Sequence, residues 1–159
     1  MSAAVGSLDM VAEGLWRRMR DVAMAERGLE RFAFAPETGD ARSTGRLRDL
    51  AADPAALSVL ARDVTLRALV AAADAVNYRL LLGLGRESVD LDGLSRALGL
   101  PPLAVTERIN GLAQLGLAAR DLERDGASET MAGRGLVALI EAISAGLGER
   151  CRAGLGTLP

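Results

Sequence analysis

The segment "LGLPPLAVTERINGLAQLGL", residues 98–117, decides the fold of this chain. Its two prolines, at 101 and 102, prevent a preceding helix from running on and favour the start of a new one. Apolar residues then recur at helical spacing, which places them on one face: Val105, Ile109, Leu112 and Leu115. Gly116 follows the last of them. The segment therefore predicts a helix over about Pro102–Leu115, with one face packed and the other turned outward.

The residues before this segment predict a second, shorter helix. Asp90 or Asp92 can cap a helix of about eight residues, Leu91–Leu98, because a carboxylate accepts from the free backbone N–H groups of a first turn. Gly99 can end it, since glycine adopts the left-handed conformation at little cost. The sequence thus predicts two consecutive helices joined by a tight turn.

The residues after the segment change from helical to alternating periodicity. Leu117 and Ala119 alternate with neighbouring residues, and the Asp125–Gly126 pair favours a tight turn, so a two-stranded hairpin is predicted up to about Met131. From Gly133 the pattern is helical again. Its apolar stripe consists of Leu136, Leu139, Ile140, Ile143 and Leu147.

Upstream, the pattern predicts two further helical regions. Residues 8–33 form one helix by periodicity, and the Pro-, Gly-, Ser- and Thr-rich stretch 34–46 is a linker or ordered loop. Asp53 before Pro54 is a favourable helix start. Residues 65–82 are predicted to continue as one largely apolar helix, buried on two sides, either in the core or between subunits.

Composition excludes several classes of protein. The chain has 159 residues, half of them hydrophobic and only 3% aromatic, with a net charge of −2. It has no His and a single Cys, so we expect neither a transition-metal site nor an internal disulfide. No catalytic motif is found, and we predict a protein that is not an enzyme and needs no cofactor.

The N-terminal residues lack the pattern of a secretory signal. The longest apolar stretches are interrupted by charge and look too short to span a bilayer. We therefore expect a cytoplasmic protein without a membrane partner.

The order of these elements resembles the ArsR- and MarR-type bacterial transcriptional regulators. Their recognition helix ends in a hydrophobic-x-x-Leu-x-x-x-Gly-Leu pattern, which stands here as Ile109, Leu112, Gly116 and Leu117, and "ETMAGRGLVAL" occupies the place of the helix after the wing. The resemblance implies a mainly α fold: a winged helix-turn-helix with a small β-hairpin wing and flanking N- and C-terminal helices. Residues 1–48 would hold the N-terminal helix and linker, and residues 49–159 the winged helix-turn-helix with a C-terminal dimerisation helix.

If the apolar face of the second helix packs inward, its polar residues face the DNA major groove. Arg108 would then contact a guanine edge, Asn110 an adenine edge and Thr106 a phosphate. Four arginines would add contacts to the DNA backbone or minor groove, two from the wing and two from neighbouring helices: Arg120, Arg124, Arg96 and Arg134. The predicted partners are double-stranded DNA, a second copy of the chain and, in addition, a small-molecule effector or a protein.

The charge of this region keeps a second hypothesis open. Between residues 88 and 135 the chain carries five arginines against seven acidic residues, whereas a DNA-binding unit is usually positive. Glu107 lies on the predicted DNA-facing side. The alternative function is a winged-helix module for protein interaction or dimerisation that does not bind DNA.

Overall fold

The computed structural model describes residues 5–18 and 53–155, which are mainly helical with a small antiparallel sheet. The described helices are α1 (residues 5–18), α2 (Pro54–Ala73), α3 (Ala75–Gly83), α4 (Leu91–Leu98), α5 (Pro102–Gln114) and α6 (Met131–Leu155). The strands are β1 (Val89–Asp90), β2 (Ala118–Asp121) and β3 (Gly126–Glu129).

Helix α2 begins as its sequence predicts. Asp53 is the N-cap, and its Oδ1 accepts from the backbone N–H groups of Ala55 (2.9 Å) and Ala56 (3.2 Å), with Pro54 in the first helical position. The predicted continuous helix over residues 65–82 is wrong, because α2 ends at Ala73 and α3 starts at Ala75. Asp74 lies between them in an extended conformation and caps the second helix with its side chain. A capping residue inside the apolar pattern thus divides one predicted helix into two.

Helices α4 and α5 confirm the predicted pair almost to the residue. Asp90 caps α4 by accepting from the backbone N–H of Gly93 at 2.7 Å, and Gly99 ends it with a φ of 65°. Helix α5 starts at Pro102 and ends one residue earlier than predicted. Gly116, with a φ of 75°, then turns the chain into β2.

The sheet has the strand order β1–β3–β2, with both pairs antiparallel. The β2–β3 hairpin is confirmed, but its turn is longer than predicted: residues 122–125 form the loop, and Gly126 is already the first residue of β3. Asp125, the last residue of the loop, has a positive φ of 45°. Strand β1 was not predicted, since two residues are too few to show a periodicity.

One hydrophobic core joins the elements. Its largest fully buried side chains come from α3, α5, the start of β2 and α6: Leu80, Val105, Ile109, Leu112, Leu117 and Leu136. Helix α1 belongs to the same core through Val11 and Leu15. The predicted helix over residues 8–33 is therefore confirmed as far as residue 18, whereas its remainder and the linker 34–46 lie outside the described residues.

Several described helices carry large apolar side chains that no other described residue covers, and α2 and α6 together carry six of them. On α2 these are Val59, Leu66, Leu69 and Val70, and on α6 they are Ile143 and Leu147. We call these six residues the exposed apolar face. Val70 is 72% exposed, so residues 65–82 are not buried on two sides by the described residues of one copy. Their burial between subunits, the other alternative, stays a prediction.

By length and composition alone, the segment Met131–Ala153 of α6 would suffice to cross a membrane, with a mean hydropathy of 1.3. The expectation that no apolar stretch is long enough was therefore wrong on those two criteria. The first half of α6 nevertheless packs within this fold, since Ala132 and Leu136 are buried in the core. Only its second half is open on the apolar side.

Candidate nucleic-acid interface

The outward face of α5 carries the side chains that the sequence assigned to base and phosphate contacts. Asn110 is exposed and Thr106 is half-buried. Both are outside the core because Val105 and Ile109 hold the opposite face of the helix at full burial. The amide of Asn110 and the hydroxyl of Thr106 can each donate and accept hydrogen bonds. These two side chains are thus where the prediction placed them.

Arg108 lies on the same helix but is bound within the protein. Its Nη1 donates to Asp74 Oδ1 at 2.7 Å and to Asn77 Oδ1 at 2.9 Å. Both acceptors belong to the junction between α2 and α3. The predicted guanine contact therefore requires Arg108 to leave this pair first.

Asp74 organises that junction through a single carboxylate. Its Oδ1 accepts from the backbone N–H groups of Asn77 (2.9 Å) and Val76 (3.0 Å) as well as from Arg108. The pKa of Asp74 is lowered from its ordinary value, first because the Asn77 N–H stabilises the charged form and then because the Arg108 guanidinium attracts it. Folding therefore favours an ionised Asp74, which ties α5 to the start of α3.

A second side-chain contact joins α3 to α6. The hydroxyl of Tyr78 donates to Glu141, and this hydrogen bond raises the pKa of the tyrosine because it favours the protonated phenol.

The two arginines of the β2–β3 hairpin have different surroundings. Arg120 donates to the Gly126 carbonyl and to Asp125 Oδ1, both at 3.0 Å, and its side chain is only 14% exposed. Arg124 is exposed in the loop. Arg120 therefore holds the turn together, and Arg124 is the hairpin arginine that can reach a ligand without breaking a described contact.

The remaining predicted phosphate contacts also have internal partners. Arg134 pairs with Glu129 at 2.6 Å, and Arg86 approaches the same carboxylate at 4.0 Å. Arg96 donates from Nε to the backbone carbonyl of Asp92 at 3.2 Å. Glu129 thus attracts the guanidinium groups of Arg134 and Arg86 at the start of α6.

The structure places Thr106 and Asn110 on one side of α5 and Arg108 on another, toward Asp74. Four of the seven predicted contact residues already have internal partners. Thr106, Asn110 and Arg124 are available, whereas Arg108, Arg120 and Arg134 are in ion pairs. Two of these pairs join residues five apart in the chain. The third joins residues 34 apart, so no local pattern could have revealed it.

The surface around these residues is acidic and apolar in places. Leu103 on α5 is 70% exposed and Leu122 in the hairpin loop is 81% exposed. Glu107 and Glu123 are exposed beside them. Within residues 5–18 and 53–155, no cluster of His, Cys, Asp or Glu is suited to hold a metal ion. The arrangement can therefore support recognition of a macromolecule through hydrogen bonds and limited positive charge.

Comparison with known proteins gives no relative: neither a protein-family model, nor a curated protein, nor a solved structure matches this chain. Fold family and function are accordingly argued from the chain itself.

Proposed function

We propose that this protein is a DNA-binding transcriptional regulator, a repressor that acts as a winged-helix homodimer in the cytoplasm. The observation that carries the proposal is the order of elements: helix, strand, two helices joined by a tight turn, and a hairpin whose second strand pairs with β1. In this arrangement α5 is the recognition helix and the β2–β3 hairpin is the wing.

In the proposed complex, α5 enters the major groove with Asn110 toward a base edge and Thr106 toward a phosphate. Arg124 contacts the backbone from the wing. Arg108 exchanges its pair with Asp74 for a guanine or phosphate. The Arg108 and Asp74 side chains are 38% and 44% exposed, and ion pairs exposed to this degree contribute only about 0–1 kcal/mol. The pair is therefore a small obstacle to DNA contact.

The exposed apolar face supports the homodimer. Its residues lie on α2 and on the second half of α6, two helices that contact each other within one chain. A second copy that covers this face would remove six large apolar side chains from water, each worth about 1.5–3 kcal/mol when fully buried. A two-fold pair would place the two recognition helices about one turn of DNA apart.

Binding to mixed genomic DNA fragments across a salt series tests the proposal. We expect affinity to fall steeply with salt, because phosphate contacts release counterions. Arg124→Ala should lower the slope of log affinity against log salt by about one. Asn110→Ala should weaken binding to selected fragments more than to random ones. Arg67→Ala is the matched control, since this arginine pairs with Asp63 on α2, away from α5.

The exposed leucines and acids beside α5 favour a second candidate, a winged-helix module that binds a protein and not DNA. Leu103 and Leu122 would provide apolar anchors, and Glu107 and Glu123 would select a basic partner. A folded protein that binds no DNA even at low salt would reject the regulator and leave this candidate.

A further inference from the structure

A surface cavity of about 510 Å³, open to solvent on one side, lies between α1, the end of α5, the hairpin and the start of α6. The described residues that line it are Gly14, Arg17, Arg18, Ala113, Gly116, Ala118, Ala119, Arg120, Thr130 and Met131. This volume lies within the range of about 300–1,000 Å³ that small-molecule sites occupy. The proposed DNA-binding function does not use this cavity.

The lining is basic on one side and apolar on the other. Three arginines face it, and none of its described lining residues is acidic. Alanine and methionine side chains supply the apolar part: Ala113, Ala118, Ala119 and Met131. A ligand that fits both parts has an anionic group and an apolar body.

The three arginines differ in how much of each guanidinium is free. Arg18 donates only from Nε, to the backbone carbonyl of Gln114 at 3.4 Å, so its terminal nitrogens have no partner among the described residues. Arg17 pairs with Glu13 at 2.7 Å, but both side chains are about half exposed and the pair is easily exchanged. Arg120 is held by Asp125 and Gly126. It contributes a positive electrostatic potential to the site more than a direct hydrogen bond to a ligand.

Gly116 explains why Arg18 lies at this place. A Cβ on Gly116 would stand 2.6 Å from Cγ of Arg18, closer than two carbon atoms can pack. The absence of a side chain lets the Arg18 stem cross the end of α5 and carry its guanidinium to the cavity. The positive φ of Gly116 would in any case strain another residue.

We propose that this cavity binds a small molecule that carries a phosphate monoester. A guanidinium matches the oxygens of a phosphate or a carboxylate in a bidentate arrangement, and the two charges of a phosphate monoester fit a lining that offers more than one arginine. A dianionic phosphate would be held by Arg18 and by Arg17 released from Glu13. Thr130 lines the site but adds no donor, because its hydroxyl already donates to the Gly116 carbonyl at 2.7 Å. The organic body lies against the alanines and Met131. The site joins α1 to the end of α5, so a ligand there contacts both.

Calorimetric titration with phenyl phosphate, with phenol as the probe that lacks the anion, tests this site in the absence of DNA. We expect phenyl phosphate to bind and phenol not to bind at the same concentration. Arg18→Gln should weaken phenyl phosphate about tenfold or more, because it removes a charge-assisted bond. The variant keeps the methylene groups that pack on Gly116, and Arg67→Gln is the control on α2.

A second measurement identifies the contact in the unmodified protein. In nitrogen-15 spectra of the arginine Nε–Hε groups, phenyl phosphate should shift the Arg18 signal and leave that of Arg67 unchanged. No binding at millimolar phenyl phosphate, equal affinity of Arg18→Gln and wild type, or equal binding of phenol would overturn the proposal. None of these readouts depends on DNA binding, so the two proposals fail separately.

Discussion

The two halves of α6 share one apolar stripe but have opposite surroundings. In the first half, Leu136 is 1% exposed, and Gly133 and Gly135 let the helix lie against β2 and α1. In the second half, Leu147 is 62% exposed, and no atom of the described residues lies within 4 Å of where a Cβ on Gly146 or Gly148 would stand. The same apolar stripe is thus core at one end of the helix and open surface at the other.

Helix α2 shows the same division across its width. Ala68 and Ala72 are buried, whereas Leu66 and Val70 on another side are exposed. Small residues face the chain's own core, and large apolar residues face outward. Among the described residues, large apolar side chains remain exposed on several helices, and six of them lie on α2 and α6.

The largest contrast is expected from matched leucine truncations on α6. Leu136→Ala should lower the free energy of unfolding by about 2–5 kcal/mol, because it leaves a cavity in a packed core. Leu147→Ala, at a concentration where the chain is monomeric, should change it by no more than about 0.5 kcal/mol. Urea unfolding measures both. Equal losses would mean that the two halves of α6 do not differ as described.

A glycine pair on the same helix sharpens the comparison. A Cβ on Gly133 would collide with the carbonyl oxygen of Leu117, so Gly133→Ala should destabilise by about 1–3 kcal/mol or more. Gly146→Ala meets nothing and should stabilise by about 0.5–1 kcal/mol, since alanine favours a helix interior. Thermal unfolding of the two variants gives opposite shifts of Tm if the account is right and shifts of one sign if it is wrong.

A charge placed on the exposed apolar face should separate the proposed dimer. Val70→Glu on α2 or Ile143→Glu on α6 should weaken self-association about tenfold or more, because the carboxylate loses water without gaining a partner. Leu122→Glu is the control, since this side chain is equally open to solvent but lies in the hairpin loop. Light scattering after size-exclusion chromatography measures the mass. Unchanged mass in the α2 and α6 variants, or dissociation in the control, would contradict the interface.

The smallest effect concerns Asp74. Its pKa is lower in the folded chain than its ordinary value of 3.8, so its contribution to stability is full above that value and is lost as the pH falls through the folded pKa. Asp74→Asn keeps a capping side chain but no charge. The stability difference between wild type and this variant should therefore be constant near neutral pH and shrink below about pH 3.8.

Urea unfolding of both proteins over that pH range measures the difference. In an Arg108→Gln background, the stability difference due to Asp74 should be smaller but still present, because the backbone N–H of Asn77 still stabilises the Asp74 carboxylate. A difference that grows on acidification would contradict the sign assigned to Asp74.

The comparison also shows where sequence alone is sufficient. Helices α4 and α5 were predictable because Asp90, Gly99, Pro102 and Gly116 mark their ends, and each acts on residues close to it in the chain. The break at Asp74 was missed, since one acidic residue in an apolar run resembles an ordinary helical position. Strand β1 exists only through its pairing with β3, which lies more than 35 residues further along the chain.

The sequence predicted where two of the candidate contact residues lie, but not which of the arginines have internal partners. The spacing of Val105, Ile109 and Leu112 correctly placed Thr106 and Asn110 outside the core. It did not show that Arg108 reaches a carboxylate from another helix, because that contact depends on how α3 and α5 pack. The cavity beside Arg18 likewise depends on four elements that meet only in the folded chain.

Sedimentation equilibrium of the wild-type chain tests most directly the central claim that the exposed apolar face of α2 and α6 joins two copies. We expect a mass of twice 16.6 kDa at micromolar concentration, and a lower mass for Val70→Glu under the same conditions. A single-chain mass for the wild type at every concentration would contradict it, because the six apolar side chains would then face water in the working protein.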